Sequence, residues 1–168
     1  MRAMLLLKDA KISLDMLEKE DDENRFRIIW LASIVILRSI GHVLAKVDAD
    51  SDPKHKDVIE AWWKSIHDKK DGENAIFHKF IESERNSIVK EYEINFQDNA
   101  QLTFGLFDQA DMSNTVGMEE FQNLYHPVMD GPYSGEDVRD VLGEAISWWE
   151  KQLCIIEASI RASGTTTL

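Results

Sequence analysis

The sequence predicts an all-α fold, an up-and-down bundle of four to five helices with one irregular or short-stranded excursion over residues 95–133. Apolar residues recur every three to four positions through most of the chain. The three prolines, Pro53, Pro127 and Pro132, fall in segments that read as loops. Clusters of charged and small polar residues separate the periodic stretches.

The first helix is expected from about Ala3 to Glu20, with Leu6, Ala10, Leu14 and Leu17 on one face. The charged turn "KEDDEN" ends it. A second helix follows from about Asn24 to Val47. Its stripe of Phe26, Trp30, Ile36, Leu37, Ile40 and Leu44 is flanked by Ile28, Leu31, Ile34 and Val35. A helix apolar on nearly every side is buried among several neighbours, so this one is read as the centre of the core. "DADSDP" stops it, because the residue before Pro53 is pushed away from helical dihedrals.

The third helix, about Lys54 to Lys69, turns Val58, Trp62 and Ile66 inward, and the fourth, about Asn74 to Tyr92, turns in Phe77, Phe80, Ile81 and Ile88. Alternation at Leu102, Phe104 and Leu106 suggests a short strand, and "DQADMSNTVG" and "HPVMDGPYSGED" read as turn clusters. An excursion of that length is often functional or partner-facing. The last helix is expected to start near Ser134 as N-cap, to carry Val138, Leu142, Ile146, Trp149, Leu153 and Ile156 inward, and to end before "SGTTTL". Neighbouring helical residues point about 100° apart. The pairs Trp62-Trp63 and Trp148-Trp149 therefore admit two arrangements. One ring of each pair faces out, as at a homodimer interface, or both rings lie at helix–helix corners within one subunit.

Composition bounds the function classes. The chain's 168 residues, 43% hydrophobic and 30% charged, suit a single folded domain spanning 1–168. Acidic residues outnumber basic ones 31 to 19, for a net charge of −12. Such a surface repels phosphate backbones at long range, so DNA binding is not expected, although a local basic patch is still compatible with it. A single cysteine, Cys154, excludes an intrachain disulfide and fits a reducing compartment. Its place near the apolar face of the last helix reads as a buried, inert thiol. The apolar run Ile28–Leu37 is shorter than the roughly 20 residues a bilayer needs, and the N-terminus lacks a small-residue cleavage site. The expectation is a cytoplasmic protein with no membrane partner.

Most familiar chemistry is missing from the sequence. "DQADMSNTVGMEE" fails as a calcium loop in either register, because Ala110 and Met112, or Val116 and Gln122, occupy required positions. No Glu-x-x-His element supports a di-iron site; the nearest metal-like spacing is His78 with Glu82. The glycines are scattered singly, without a phosphate loop. No metal and no cofactor are expected. Arg38 and His42 share a face of the most buried helix. A buried arginine requires a partner, and Glu84 or Glu91 on the fourth helix would supply it. This predicts either an internal ion pair or a polar pocket of Arg38, His42 and Glu84.

The segment "RNSIVKEY" carries Arg85, Asn86, Lys90 and Tyr92. It resembles the motif of the HEPN superfamily (higher eukaryotes and prokaryotes nucleotide-binding domain), in which arginine, a polar residue, three variable residues and histidine are often followed by tyrosine. Those proteins are helical bundles, commonly dimeric, and many are metal-independent endoribonucleases of toxin–antitoxin, abortive-infection and CRISPR systems. The resemblance implies that Arg85 contacts phosphate, Asn86 orients it and Tyr92 packs nearby. Lys90 stands where the family has histidine. A lysine keeps its proton far above neutrality, so it is a poor general base, and catalysis is expected to be lost or altered. Homodimerisation and an RNA or antitoxin-like protein partner follow as expectations. The alternative reading is a helical scaffold whose contacts are the 95–133 excursion and the aromatic faces, with the motif as an exposed salt-bridge surface.

Overall fold

The computed structural model describes residues 1–97, 102–108, 111–121 and 125–165 of the chain. It is an all-α helical bundle. The elements are α1 (Ala3–Leu17), α2 (Glu23–Val43), α3 (Pro53–Asp68), α4 (Glu82–Glu91) and α5 (Val138–Thr165), with a two-stranded hairpin, β1 (Leu102–Asp108) and β2 (Asp111–Phe121), between α4 and α5. A π-helical turn, Leu44–Asp48, and a 3-10 turn, Ala49–Ser51, prolong α2, and a second π turn, Phe77–Ile81, leads into α4. The elements α1 and α5 pack together; α2 lies against α1 and α4, and α3 against α5.

Aspartates start three of the helices. Asp22 accepts a hydrogen bond from the Arg25 N–H at the head of α2 (2.9 Å), and Asp52 accepts from Lys54 ahead of α3 (2.7 Å), where Pro53 occupies the first turn. Asp137, not Ser134, stands before α5. It accepts from the Arg139 N–H at 2.9 Å and pairs with the same residue's guanidinium at 2.6 Å. Ser134 instead donates to the Met129 carbonyl, which moves the helix start past the expected position. Burial pushes the Asp137 carboxyl up, but the Arg139 and His126 hydrogen bonds outweigh it and hold the group below its ordinary value. The ionised cap therefore contributes stability above the unfolded-state value and loses it as pH falls through the folded-state one.

The start of α1 is satisfied from a distance. Buried Asp48, in the π turn after α2, accepts from the Arg2 N–H (2.7 Å) and the Ala3 N–H (2.9 Å). The head of α1 thus lies at the tail of α2 and the two helices run antiparallel. Replacing Asp48 with alanine leaves one buried and one partly buried N–H group without their acceptor. The expected cost is about 2 kcal/mol, read from urea unfolding with an unchanged m-value.

The core follows the predicted stripes with shifts of phase. In α1 the buried face is Ala3, Leu7, Ala10, Ser13 and Leu17, while Leu6 and Leu14 are only partly covered. Phe26, Trp30, Ile34, Leu37 and Ile40 of α2 are buried against the neighbouring helices, although Ile28 and Val35 remain exposed. Together with its π and 3-10 extension, the stretch Glu23–Ser51 is long and apolar enough to cross a membrane by length and composition; the shorter run Ile28–Leu37 had suggested otherwise.

Both tryptophan pairs turn inward. Trp148 and Trp149 are buried on α5, Trp62 is buried on α3, and Trp63 is half-covered. Trp62 lies 5.9 Å from Trp149 between ring centroids and donates its Nε1–H to Gln152 at 2.9 Å. Trp149 meets Phe77 edge-on at 5.8 Å. Of the two arrangements the pairs admit, the structure has the aromatic corner within one subunit. Gly41 permits this, because a Cβ there would stand 3.0 Å from both Trp149 and Trp63 ring carbons. Cys154 is exposed, contrary to the buried thiol expected from its neighbours' periodicity. The hairpin also overrides local composition. Most of "DQADMSNTVG", expected as a turn, lies in β2, whose ladder runs from Leu102 opposite Phe121 to Asp108 opposite Asp111 with a bulge near Phe107.

Candidate functional site

The helices α2 and α4 form the walls of a groove of about 360 Å³, lined by Val35, Arg38, Ser39, His42, Arg85 and Val89. Arg38, Ser39 and His42 come from one face of α2, and Arg85 and Val89 from one face of α4, at the i to i+4 spacing that stacks residues along a helix. Two arginines and two valines thus line one groove. A smaller recess continues the groove past Arg38 and His42 to Gly41, Ala45, Trp63 and His67.

A second layer holds Arg38. Its Nη2 lies 3.6 Å from Glu82 Oε1, and its guanidinium stands 5.8 Å from the Phe77 ring centre. Glu82 also takes His78 Nδ1 at 3.0 Å, while His78 Nε2 lies 3.1 Å from the Ile66 carbonyl. Both partners of His78 are acceptors, a carboxylate oxygen on one side of the ring and a backbone carbonyl on the other. His67 stacks on Trp63 at 5.4 Å and stands 5.9 Å from His78. The π turn Phe77–Ile81 sets this arrangement by turning Phe77, Phe80 and Ile81 into the core ahead of Glu82.

Of the motif residues, Arg85 alone lines the groove. Its Nη1 donates to Asn86 Oδ1 at 3.1 Å, and Asn86 is exposed. Lys90 is exposed near the end of α4 and is not among the lining residues. Tyr92 is 68% exposed with φ of 55°, a left-handed conformation that ends α4. So Arg85 and Asn86 are brought together, and Lys90 and Tyr92 lie apart from the groove.

The expected pocket of Arg38, His42 and Glu84 is corrected. Arg38 and His42 share the groove, but the ion-pair partner of Arg38 is Glu82, which precedes both Glu84 and Glu91 on the same helix. Glu84 is buried on a different face, where its Oε1 accepts from Asn95 Nδ2 at 3.2 Å. Adjacent residues on a helix diverge by about 100°, which carries Glu84 away from the face that Arg85 occupies. Burial pushes the Glu84 carboxyl above its ordinary value. The nearby Asp130 charge pushes the same way and the Asn95 hydrogen bond opposes.

The linkage sign follows. The folded state binds this proton more tightly than the unfolded chain, so stability from it is present at low pH and declines as pH rises through the folded-state value. Glu84→Gln, which imitates the protonated form, is expected to raise stability at neutral pH by about 1 kcal/mol and to flatten that decline. Urea unfolding between pH 4 and 8 measures both.

Glu82 and His78, behind Arg38, and His67, in the adjoining recess, have no site role in the sequence analysis, where only the His78–Glu82 spacing points to them. No family model matches the chain, and no curated protein or solved structure matches it. The class that the fold and site define is an all-α bundle with a two-arginine groove.

Proposed function

We propose that the groove between α2 and α4 binds the phosphate backbone of single-stranded RNA, in a HEPN-like protein of bacterial defence or toxin–antitoxin type that has lost hydrolytic chemistry. The observation that carries this reading is the convergence of Arg38 and Arg85 on one cavity of an otherwise acidic chain. A guanidinium offers planar, paired donors to phosphate oxygens, and Val35 and Val89 offer apolar walls to a ribose or base. The net charge of −12 does not prevent this, because charges beyond a Debye length of about 8 Å are screened at physiological ionic strength.

Lys90, off the groove, is not placed to exchange a proton with a phosphate held there. His42 lines the groove, yet a lone histidine lacks the partner general base that would orient it. Binding without cleavage is the activity that fits. Incubation with mixed RNA is expected to give binding but no cleavage in the wild type and in Lys90→His alike, and Arg85→Ala is expected to weaken the binding. Cleavage gained by Lys90→His would put position 90 at the reacting phosphate and overturn the noncatalytic reading. Silence in binding for every form would favour a scaffold.

A second reading has its own support. Ile28, Val35 and Val89 are exposed, and Ile28 lies two turns before Val35 on the same face of α2. Apolar side chains around a charged groove suit a protein contact, and a second copy of this chain or an antitoxin-like partner is the occupant it implies. Light scattering of wild type against Val35→Glu distinguishes a homodimer at this face from a monomer.

A further inference from the structure

A second cavity, of about 250 Å³, opens beside α4 and differs from the groove in charge. It is lined by Ser83, Glu84 and Ser87 of that helix, by Glu93 and Asn95 of the segment that follows, and by Asp130 of the segment before α5. Three residues with carboxyl groups and two with hydroxyls line it, and among the described residues no basic side chain does.

Glu84 is the unusual member. It is 5% exposed, its Oε1 is held by Asn95, and its Oε2 makes no hydrogen bond. Asn95 is itself fully engaged. It donates to Glu84 and to the Asp130 carbonyl (3.3 Å), and accepts from the Asp130 N–H (3.2 Å). The carboxyl is thus fixed in place with one acceptor unmet, in a position where an unpaired charge lowers stability. A glutamine would be cheaper there, so retaining the acid needs a reason beyond folding.

We propose that this cavity is a binding site for an organic cation, a guanidinium or alkylammonium group, with Glu84 Oε2 as its principal acceptor. Glu93 and Asp130 supply further negative charge at the rim, and the Ser83 and Ser87 hydroxyls supply neutral acceptors. A guanidinium presents five donors in a plane and an ammonium three, enough to meet several of these oxygens together. A metal ion suits the site less well, since no group of three or more His, Cys, Asp or Glu side chains is disposed to hold one among the described residues. Binding a cation stabilises the ionised carboxylate, so it releases the proton that burial favours, and affinity rises with pH as Glu84 ionises beside Glu93 and Asp130. The site takes a cation where the α2–α4 groove takes an anion, and neither proposal depends on the other.

The test uses agmatine, a free guanidinium compound, and the tripeptide Gly-Arg-Gly, titrated into carbon-13-labelled full-length protein. The Glu84 side-chain carboxyl resonance is expected to move saturably and its titration midpoint to fall. Glu84→Gln, a variant expected to fold with added stability, should weaken binding at least tenfold, while Asp57→Asn on exposed α3 leaves it unchanged. Equal affinity for both probes assigns a small free cation, and a tenfold preference for the peptide assigns a basic side chain of a protein partner; either supports the site. Binding unaltered by Glu84→Gln, unsaturable shifts spread over many carboxylates, or displacement of agmatine by equimolar magnesium would overturn it.

Discussion

Replacing Arg38 and Arg85 together with alanine is expected to weaken single-stranded RNA binding by at least roughly 100-fold, since each hydrogen bond to a charged group is worth about 1.5–3 kcal/mol and 1.4 kcal/mol is tenfold. The single variants should differ. Arg85 makes one hydrogen bond, to Asn86, and keeps its other donors for a ligand, so Arg85→Ala weakens binding with little structural consequence. Arg38 also balances Glu82, and its removal leaves that carboxylate beside the groove with His78 alone. The Arg38→Ala variant should therefore lose more than Arg85→Ala, because it subtracts a positive charge and leaves a negative one uncovered. Arg38 is only half-buried, so the cost to folding stays below about 1 kcal/mol. Arg38→Lys keeps the charge without the planar fork and should recover only part of the affinity. Fluorescence anisotropy against a labelled oligoribonucleotide, with urea unfolding of each variant, separates the two effects.

Trp149→Ala is expected to produce the largest loss of stability in the molecule, about 3–5 kcal/mol. The side chain is fully buried and meets three rings: Trp148 of the same helix at 4.8 Å, Trp62 of α3 at 5.9 Å and Phe77 of the π turn before α4 at 5.8 Å. It also closes over Gly41 of α2, so its removal opens a cavity where α2, α3, α4 and α5 meet. A domain with a total stability of 5–15 kcal/mol loses a large share of it. Trp149→Phe is the informative contrast. The indole Nε1–H makes no hydrogen bond, so phenylalanine removes a buried orphan donor while keeping most of the aromatic surface. Its cost should be about 1–2 kcal/mol, visible as a smaller drop in the urea midpoint at unchanged m-value.

The helices were legible because burial imposes a period. Phe26, Trp30, Leu37 and Ile40 had to face inward wherever the chain turned, and the structure buries them. Phase was harder. Leu7 displaced Leu6 in α1 because its neighbours α2 and α5 decide which turn is covered, and a lone helix does not specify its neighbours. Helix starts depended on caps that act across the fold. Asp48 serves α1 from the far end of α2, a pairing no local pattern reveals.

The site was legible in halves. Arg38 with His42, and Arg85 with Asn86, each stood out in sequence, but nothing in either segment said that they share a groove. Glu84 was assigned to the wrong face because a carboxylate beside Arg85 looks available to Arg38. The π turn before Glu82 alters the helical phase, and Glu82 meets Arg38 in its place. Lys90 and Tyr92 were chosen by resemblance alone, and helix geometry places them outside the groove.

The measurement closest to the central claim follows the arginine Nε–H resonances of nitrogen-15-labelled protein as a short oligoribonucleotide is added. The account predicts saturable shifts of Arg38 and Arg85, accompanied by the Val35 and Val89 methyl groups, while Arg139 in the first turn of α5 stays still. Shifts confined to other residues, or none at either groove arginine at millimolar RNA, would contradict it.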